Sequence, residues 1–129
     1  MSARLKSLNG DLLVRDGTTD TSINSGVAKA YQHHDQDNTT LNKSLNVTSS
    51  TDNGTGDFTA NFTNSWSDAR YMYSFGVDDD GFNDATAYGI KGLTWATGSH
   101  RTRTFFANST NENFFDSDMA CIIWFGDLA

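Results

Sequence analysis

The most concentrated charge in this 129-residue chain is Val77-Asp78-Asp79-Asp80-Gly81-Phe82-Asn83-Asp84. Clustered carboxylates can hold Ca²⁺ through their oxygens, but the glycine comes too early for a calcium loop and no Glu closes it. Asp and Asn also cap nearby backbone groups in turns. The set therefore reads as a solvated loop, and no metal is expected. His33-His34-Asp35-Gln36-Asp37 carries ligand-type residues too, yet adjacent histidines on a strand face opposite ways and cannot easily share one ion. His100-Arg101-Thr102-Arg103 is a local basic spot, suited to one side of an interface or to an anionic sugar.

Motifs for catalysis are missing. The chain has no Gly-x-Ser-x-Gly, no His-Glu-x-x-His and no phosphate-cradling glycine loop, so no enzyme and no cofactor is expected. Carboxylate pairs of the glycosidase kind exist in any Asp-rich chain and carry no weight alone. Trp66, Tyr88, Trp95 and Trp124 could stack on sugar rings, although a core or interface place serves each as well. The residues expected to touch a ligand are Asp78, Asp79, Asp80, Tyr88, Trp95, Arg101 and Arg103.

Composition narrows the partners. A net charge of -7 disfavours nucleic-acid phosphates and anionic membrane surfaces. No apolar run approaches the roughly eighteen residues of a membrane span. Cys121 is the single cysteine, so no intrachain disulfide forms, and its apolar surroundings suit a small buried hydrophobe. Six Asn-x-Ser/Thr sequons begin at Asn38, Asn42, Asn46, Asn53, Asn61 and Asn108. Met1-Ser2-Ala3-Arg4-Leu5-Lys6 lacks the apolar stretch of a secretory signal, so the sequons read as richness in Asn, Ser and Thr.

These side chains need elements to position them, and the periodicity points to strands. Leu45, Val47 and Ser49 alternate along one run, and Phe58, Ala60 and Phe62 along another; Asn53-Gly54-Thr55-Gly56 between them suits a tight hairpin turn. The first run is expected as one strand over 41–50, its partner over 57–63. Tyr71, Tyr73, Phe75 and Val77 alternate similarly, and further strands are expected over 27–33, 88–95, 101–107 and 119–125. The last is apolar on both faces, as for a strand covered on both sides, either inside the fold or at a subunit interface. Near the N-terminus, residues 4–8 and 11–15 flank Asn9-Gly10 as a small hairpin, and residues 18–27 form a polar linker or extended arm. No stretch keeps helical spacing for three turns, and no heptads occur. Short strands at this spacing, separated by Gly, Asn, Asp and Ser turns, give an all-β antiparallel sandwich or barrel.

The stretch Ser44-Leu45-Asn46-Val47-Thr48-Ser49-Ser50-Thr51-Asp52-Asn53-Gly54-Thr55-Gly56-Asp57-Phe58-Thr59-Ala60-Asn61-Phe62 resembles a module near the C-termini of tail-fibre and other virion proteins of tailed bacteriophages. Asp68-Ala69-Arg70-Tyr71 and the closing Ala120-Cys121-Ile122-Ile123-Trp124-Phe125-Gly126 are similar to that module's later segments, and Val27-Ala28-Lys29-Ala30-Tyr31 to its lead-in. The chain departs from the pattern at 32–38 and between 78 and 113. The resemblance implies a jelly-roll-like β-sandwich, commonly a homotrimer, on the surface of a capsid or tail, with no catalytic residue. On this reading residues 1–26 dock on a phage capsid or tail protein through Leu5, Leu8, Leu12, Leu13 and Val14, and residues 27–129 form the sandwich. The expected role is host attachment as a short tail fibre or receptor-binding component contacting host-surface polysaccharide. The alternative is capsid decoration as a cement or head-fibre protein.

Overall fold

The computed structural model describes residues 4–8, 11–16, 19–22, 26–78, 87–107 and 112–129. Among them lie, in chain order, β1 (Arg4–Leu8), β2 (Asp11–Asp16), β3 (Thr19–Ser22), β4 (Ala28–Asp35), β5 (Thr40–Leu45) and β6 (Val47–Asp52). There follow β7 (Asp57–Phe62), β8 (Met72–Asp78), β9 (Ala87–Ala96), β10 (Ser99–Ala107), β11 (Glu112–Phe114) and β12 (Met119–Phe125). Every pairing is antiparallel, and no helix occurs among the described residues. The first three strands pair only with one another, as a meander. The others form two sheets that pack face to face. The front sheet runs β5-β4-β12-β8; in the back sheet β6, β7 and β10 are neighbours, with β9 on the far edge of β10 and β11 extending the line of β7.

The interior is an alternation of large and small. Trp124 sits in register with Ala30, His100 with Ala60, and His34 with Ala120. All six are buried. A sandwich interior about 10 Å thick leaves little room for two bulky side chains abreast, so each alanine makes space for its neighbour. The Trp124 indole crosses between the sheets and donates to His100 Nδ1 at 2.8 Å. An indole N–H can only donate, so the neutral imidazole carries its proton on Nε2. Gly92 faces that nitrogen: a Cβ there would lie 2.9 Å from His100 Nε2 and 2.4 Å from the Trp95 ring. At one end Phe62 meets Trp66, Tyr71 and Trp124 edge-on, and Trp66 stacks on Tyr71 with centroids 5.0 Å apart.

The other end is polar. Gln36 Nε2 donates to Thr104 Oγ1 at 2.9 Å, and its Oε1 accepts from Ser117 N at 2.9 Å. Ser117 Oγ donates to the Asp78 carbonyl at 2.6 Å. Gln36, Thr104 and Ser117 are buried, and their bonds tie the ends of β4, β8 and β10 to the loop before β12.

The expected all-β class, the hairpin of β6 and β7, and the strands β4, β8, β9, β10 and β12 are present. The turn between β6 and β7 uses positive φ at Gly54 (120°) and Gly56 (68°). Several expectations fail. The run over 41–50 is two strands in different sheets, because Asn46, at φ 55°, turns the chain from front to back. Leu45 is consequently exposed while Val47 is buried. A bulge after Val47 then sets Ser49 opposite Asn61 and Ser50 opposite Ala60, so Val47 and Ser49 do not share a face. Part of the expected linker over 18–27 is β3, and β11 was not anticipated. β12 is not covered on both faces within the fold: Ala120, Ile122 and Trp124 are buried, whereas Ile123 is 40% exposed. Cys121 lies half-buried on that outer face, opposite His33 and Gly76.

His34 and His100 are fully buried. Burial pushes the His100 imidazole down to about 4, and burial lowers His34 too, against the pull of Asp35, Asp52 and Asp116. In the unfolded chain both titrate near the ordinary 6.5. As pH falls from about 6.5 to 4, the unfolded chain binds protons that the folded chain refuses, so stability falls. The expected loss from His100 alone is on the order of 3 kcal/mol. Urea midpoints measured across this window should drop steadily; a flat profile would show that the histidines remain unstrained when charged.

Candidate functional site

Two places gather functional side chains. The first is the outer face of the back sheet. Asp57, the first residue of β7, follows a turn closed by Asp57 N donating to the Gly54 carbonyl at 2.7 Å. Its carboxylate is 2% exposed beneath two guanidinium groups. Arg101 Nε donates to Oδ1 at 2.7 Å and Arg101 Nη2 to Oδ2 at 2.8 Å, a bidentate pair. Arg103 Nε donates to Oδ2 at 3.1 Å, and Arg103 Nη2 bonds the same oxygen. The Arg101 bonds hold the Asp57 carboxyl below the usual carboxylate range, with Arg103 adding to the effect. The Arg103 guanidinium lies 4.5 Å from the centroid of Phe114, and Lys91 pairs with Glu112 beside the same ring. Across β6 and β7 the face continues as a polar ladder, in which Asn61 Nδ2 donates to Ser49 Oγ at 3.1 Å and Thr51 Oγ1 at 3.0 Å.

The second place is a groove of about 410 Å³ at the aromatic end of the sandwich, within the rough 300–1,000 Å³ range of small-molecule sites. Segments 66–72 and 125–127 build most of it. Trp66 pairs as an isolated bridge with Leu128, and Ser67 N donates to the Asp127 carbonyl at 2.8 Å. Trp66, Tyr71, Met72 and Phe125 supply apolar walls; Asp68, Arg70 and Asp127 supply charge. Arg70 N donates to Asp68 Oδ1 at 2.7 Å, and Arg70 Nε lies 3.5 Å from Asp68 Oδ2. Gly126 lies against the aromatic pair; a Cβ there would meet Tyr71 Cβ at 3.0 Å and the Trp66 ring at 3.2 Å. The Tyr71 hydroxyl is spent on the Ser99 and Ala96 carbonyls, and burial raises it to about 12. The Trp66 indole N–H is buried with no acceptor among the described residues.

The residues expected to touch a ligand are scattered. Arg101 and Arg103 come together on Asp57. Trp95 is 42% exposed at the edge of β9, its ring 5.0 Å from His100. Tyr88 is half-buried, with its ring 5.8 Å from Phe115. Asp78 ends β8 in the opposite sheet. Asp79 and Asp80 lie outside the described residues. Of the aromatic residues considered for sugar stacking, Trp66 and Trp124 are buried. In the meander Leu5 is in register with Val14 and Ser7 with Leu12. Leu13 is buried, while the side chains of Leu5, Leu8, Leu12 and Val14 lie outside the described residues. Among the described residues, no three His, Cys, Asp or Glu side chains are placed to hold a metal ion.

Sequence reasoning passed over Asp57 and the groove. Asp57 carries no motif, and its partners are 44 and 46 residues away. The groove did leave a trace, since Asp68, Arg70 and Tyr71 from one segment noted in the sequence meet Phe125 and Gly126 from another. No family model matches the chain, and neither the curated proteins nor the solved structures compared with it include a match.

Asp57 locks β7 to β10 rather than offering a free charge. Asp57→Asn removes the charge while keeping the size, and should cost roughly 1–3 kcal/mol in chemical denaturation, because two guanidinium groups lose an ionised acceptor. A change within about 0.5 kcal/mol would assign the pair to the class screened by solvent.

Proposed function

We propose that the chain is a non-enzymatic structural component of a tailed-bacteriophage virion, a short fibre or receptor-binding component that contacts host-surface glycans. In this reading the sandwich is jelly-roll-like, assembles as a homotrimer and faces outward, while residues 1–26 dock on a capsid or tail protein. The sequence resemblance over 44–62 and 120–126 supports the virion assignment. The observation that carries the assembly is an apolar row across the outer face of the front sheet. Leu45, Tyr31 and Ile123 are in register on β5, β4 and β12, and all are exposed. Phe125 and Met72 extend the patch by another register pair, with Met72 73% exposed. Contiguous exposed apolar surface of this kind marks an interaction face, and a closed ring of copies is an economical way to cover it. Capsid decoration as a cement or head-fibre protein is the second reading, and it takes the same outward-facing sandwich without a glycan contact.

Two experiments test this. Light scattering of the purified protein should give about three times the 14.2 kDa chain mass, and Ile123→Glu should give a folded monomer with unchanged far-UV dichroism. A wild-type monomer at micromolar concentration would sink the assembly. Deleting residues 1–22 should leave the sandwich folded and oligomeric but absent from particles; normal incorporation of the truncated protein would move docking into the sandwich.

A further inference from the structure

The groove at the aromatic end combines features that point to one class of ligand. Its walls are apolar side chains, with Met72 and the half-buried Phe125 accessible from solvent. Its charges are two carboxylates, Asp68 and Asp127, and one guanidinium, Arg70, already neighbour to Asp68. Two acids against one base disfavour an anion. A purely apolar ligand would desolvate those charges without replacing their hydrogen bonds, which is costly. A sugar ring meets both demands, since its C–H face packs on apolar surface while its hydroxyls donate to carboxylates and accept from a guanidinium. The indole N–H of Trp66 is itself shielded from solvent, so the ring serves the groove as a rigid apolar wall rather than as a donor. The floor is rigid: Trp66 is stacked on Tyr71, pinned by its bridge to Leu128 and packed against Gly126.

We propose that this groove is a binding site for a neutral saccharide of one or two rings, with Asp68 and Asp127 accepting from its hydroxyls, Arg70 donating, and Met72 and Phe125 packing on its apolar face. This deepens the glycan-contact reading above and rests on it. The site lies on segments 66–72 and 125–127, whereas Arg101 and Arg103 lie on the outer face of the back sheet, so the two possible contact regions are separable by experiment.

Nitrogen–proton correlation spectra of the full ¹⁵N-labelled chain, titrated with millimolar lactose, maltose or N,N′-diacetylchitobiose, test it. At least one should shift the Trp66 indole and Gly126 amide resonances, while the Trp124 indole, held by His100, serves as an internal reference. Asp68→Asn keeps an acceptor for Arg70 N and so keeps the loop, yet should weaken binding by about tenfold or more; Asp127→Asn should do likewise. The inference is overturned if no saccharide moves these resonances, if only choline or sulfate does, or if neither variant weakens the shift. Saccharide shifts confined to the Arg101–Arg103 face would overturn the groove and leave glycan contact standing. Absence of shifts anywhere would count against both.

Discussion

The hydrogen bond from Trp124 to His100 sets the terms for the rest of the sandwich. It joins the two sheets near their aromatic end, and neither partner touches solvent. A donor that can only donate fixes the imidazole tautomer, and the large rings fix the neighbours that can tolerate them. Ala30 and Ala60 stand beside them in register, Gly92 stays bare beneath His100 and Trp95, and Tyr73 reaches across to accept from Gly92 N at 2.8 Å. Replacing any of these small residues by a larger one would not merely crowd a core. It would separate the sheets at the point where this buried bond between two rings is made.

Away from that point the interior changes character along the sandwich axis. Toward Trp66 it is aromatic and closed by edge-on contacts. Toward Gln36 it is built from hydrogen bonds among Gln36, Thr104 and Ser117, with Gly56 held close because a Cβ there would lie 2.7 Å from the Thr104 carbonyl. Polar interiors stabilise little when satisfied and cost much when not. Gln32 Oε1 and His34 Nε2 have no partner among the described residues. Toward the aromatic end Trp66 Nε1 and His100 Nε2 are likewise without one; what the polar end contributes is register, since Gln36 bonds Ser117 in one alignment of β4 against the loop before β12 and in no other.

Much of this architecture was legible because period-2 alternation survives wherever a strand has one covered face, as in Phe58, Ala60 and Phe62. It failed where a single residue overrides the period. Asn46 is one of the polar residues that fill this chain, and nothing local distinguishes the one that turns a strand into the other sheet. The inward face of β4 was also hidden, since Gln32, His34 and Gln36 are buried there and a pattern based on apolarity reads them as outward. The groove was illegible for a different reason: its walls come from segments more than fifty residues apart, and only the topology that brings β12 beside β8 unites them.

The same topology couples the two faces assigned roles above. Met72 and Phe125 are register partners at the margin of the apolar patch on the front sheet, and both also line the groove. A copy seated on Leu45, Tyr31 and Ile123 would then stand beside the groove's open side. Its approach would desolvate Met72 and Phe125 and lower the dielectric around Asp68 and Asp127, strengthening any hydrogen bond that a ligand makes to them. Ligand and association would share side chains, so each must alter the affinity of the other by the same factor. Multiplied over the copies of a ring, even a weak groove gains avidity through simultaneous engagement. A weak individual site is thus compatible with firm attachment, provided that the face carrying Ile123 is covered by another copy.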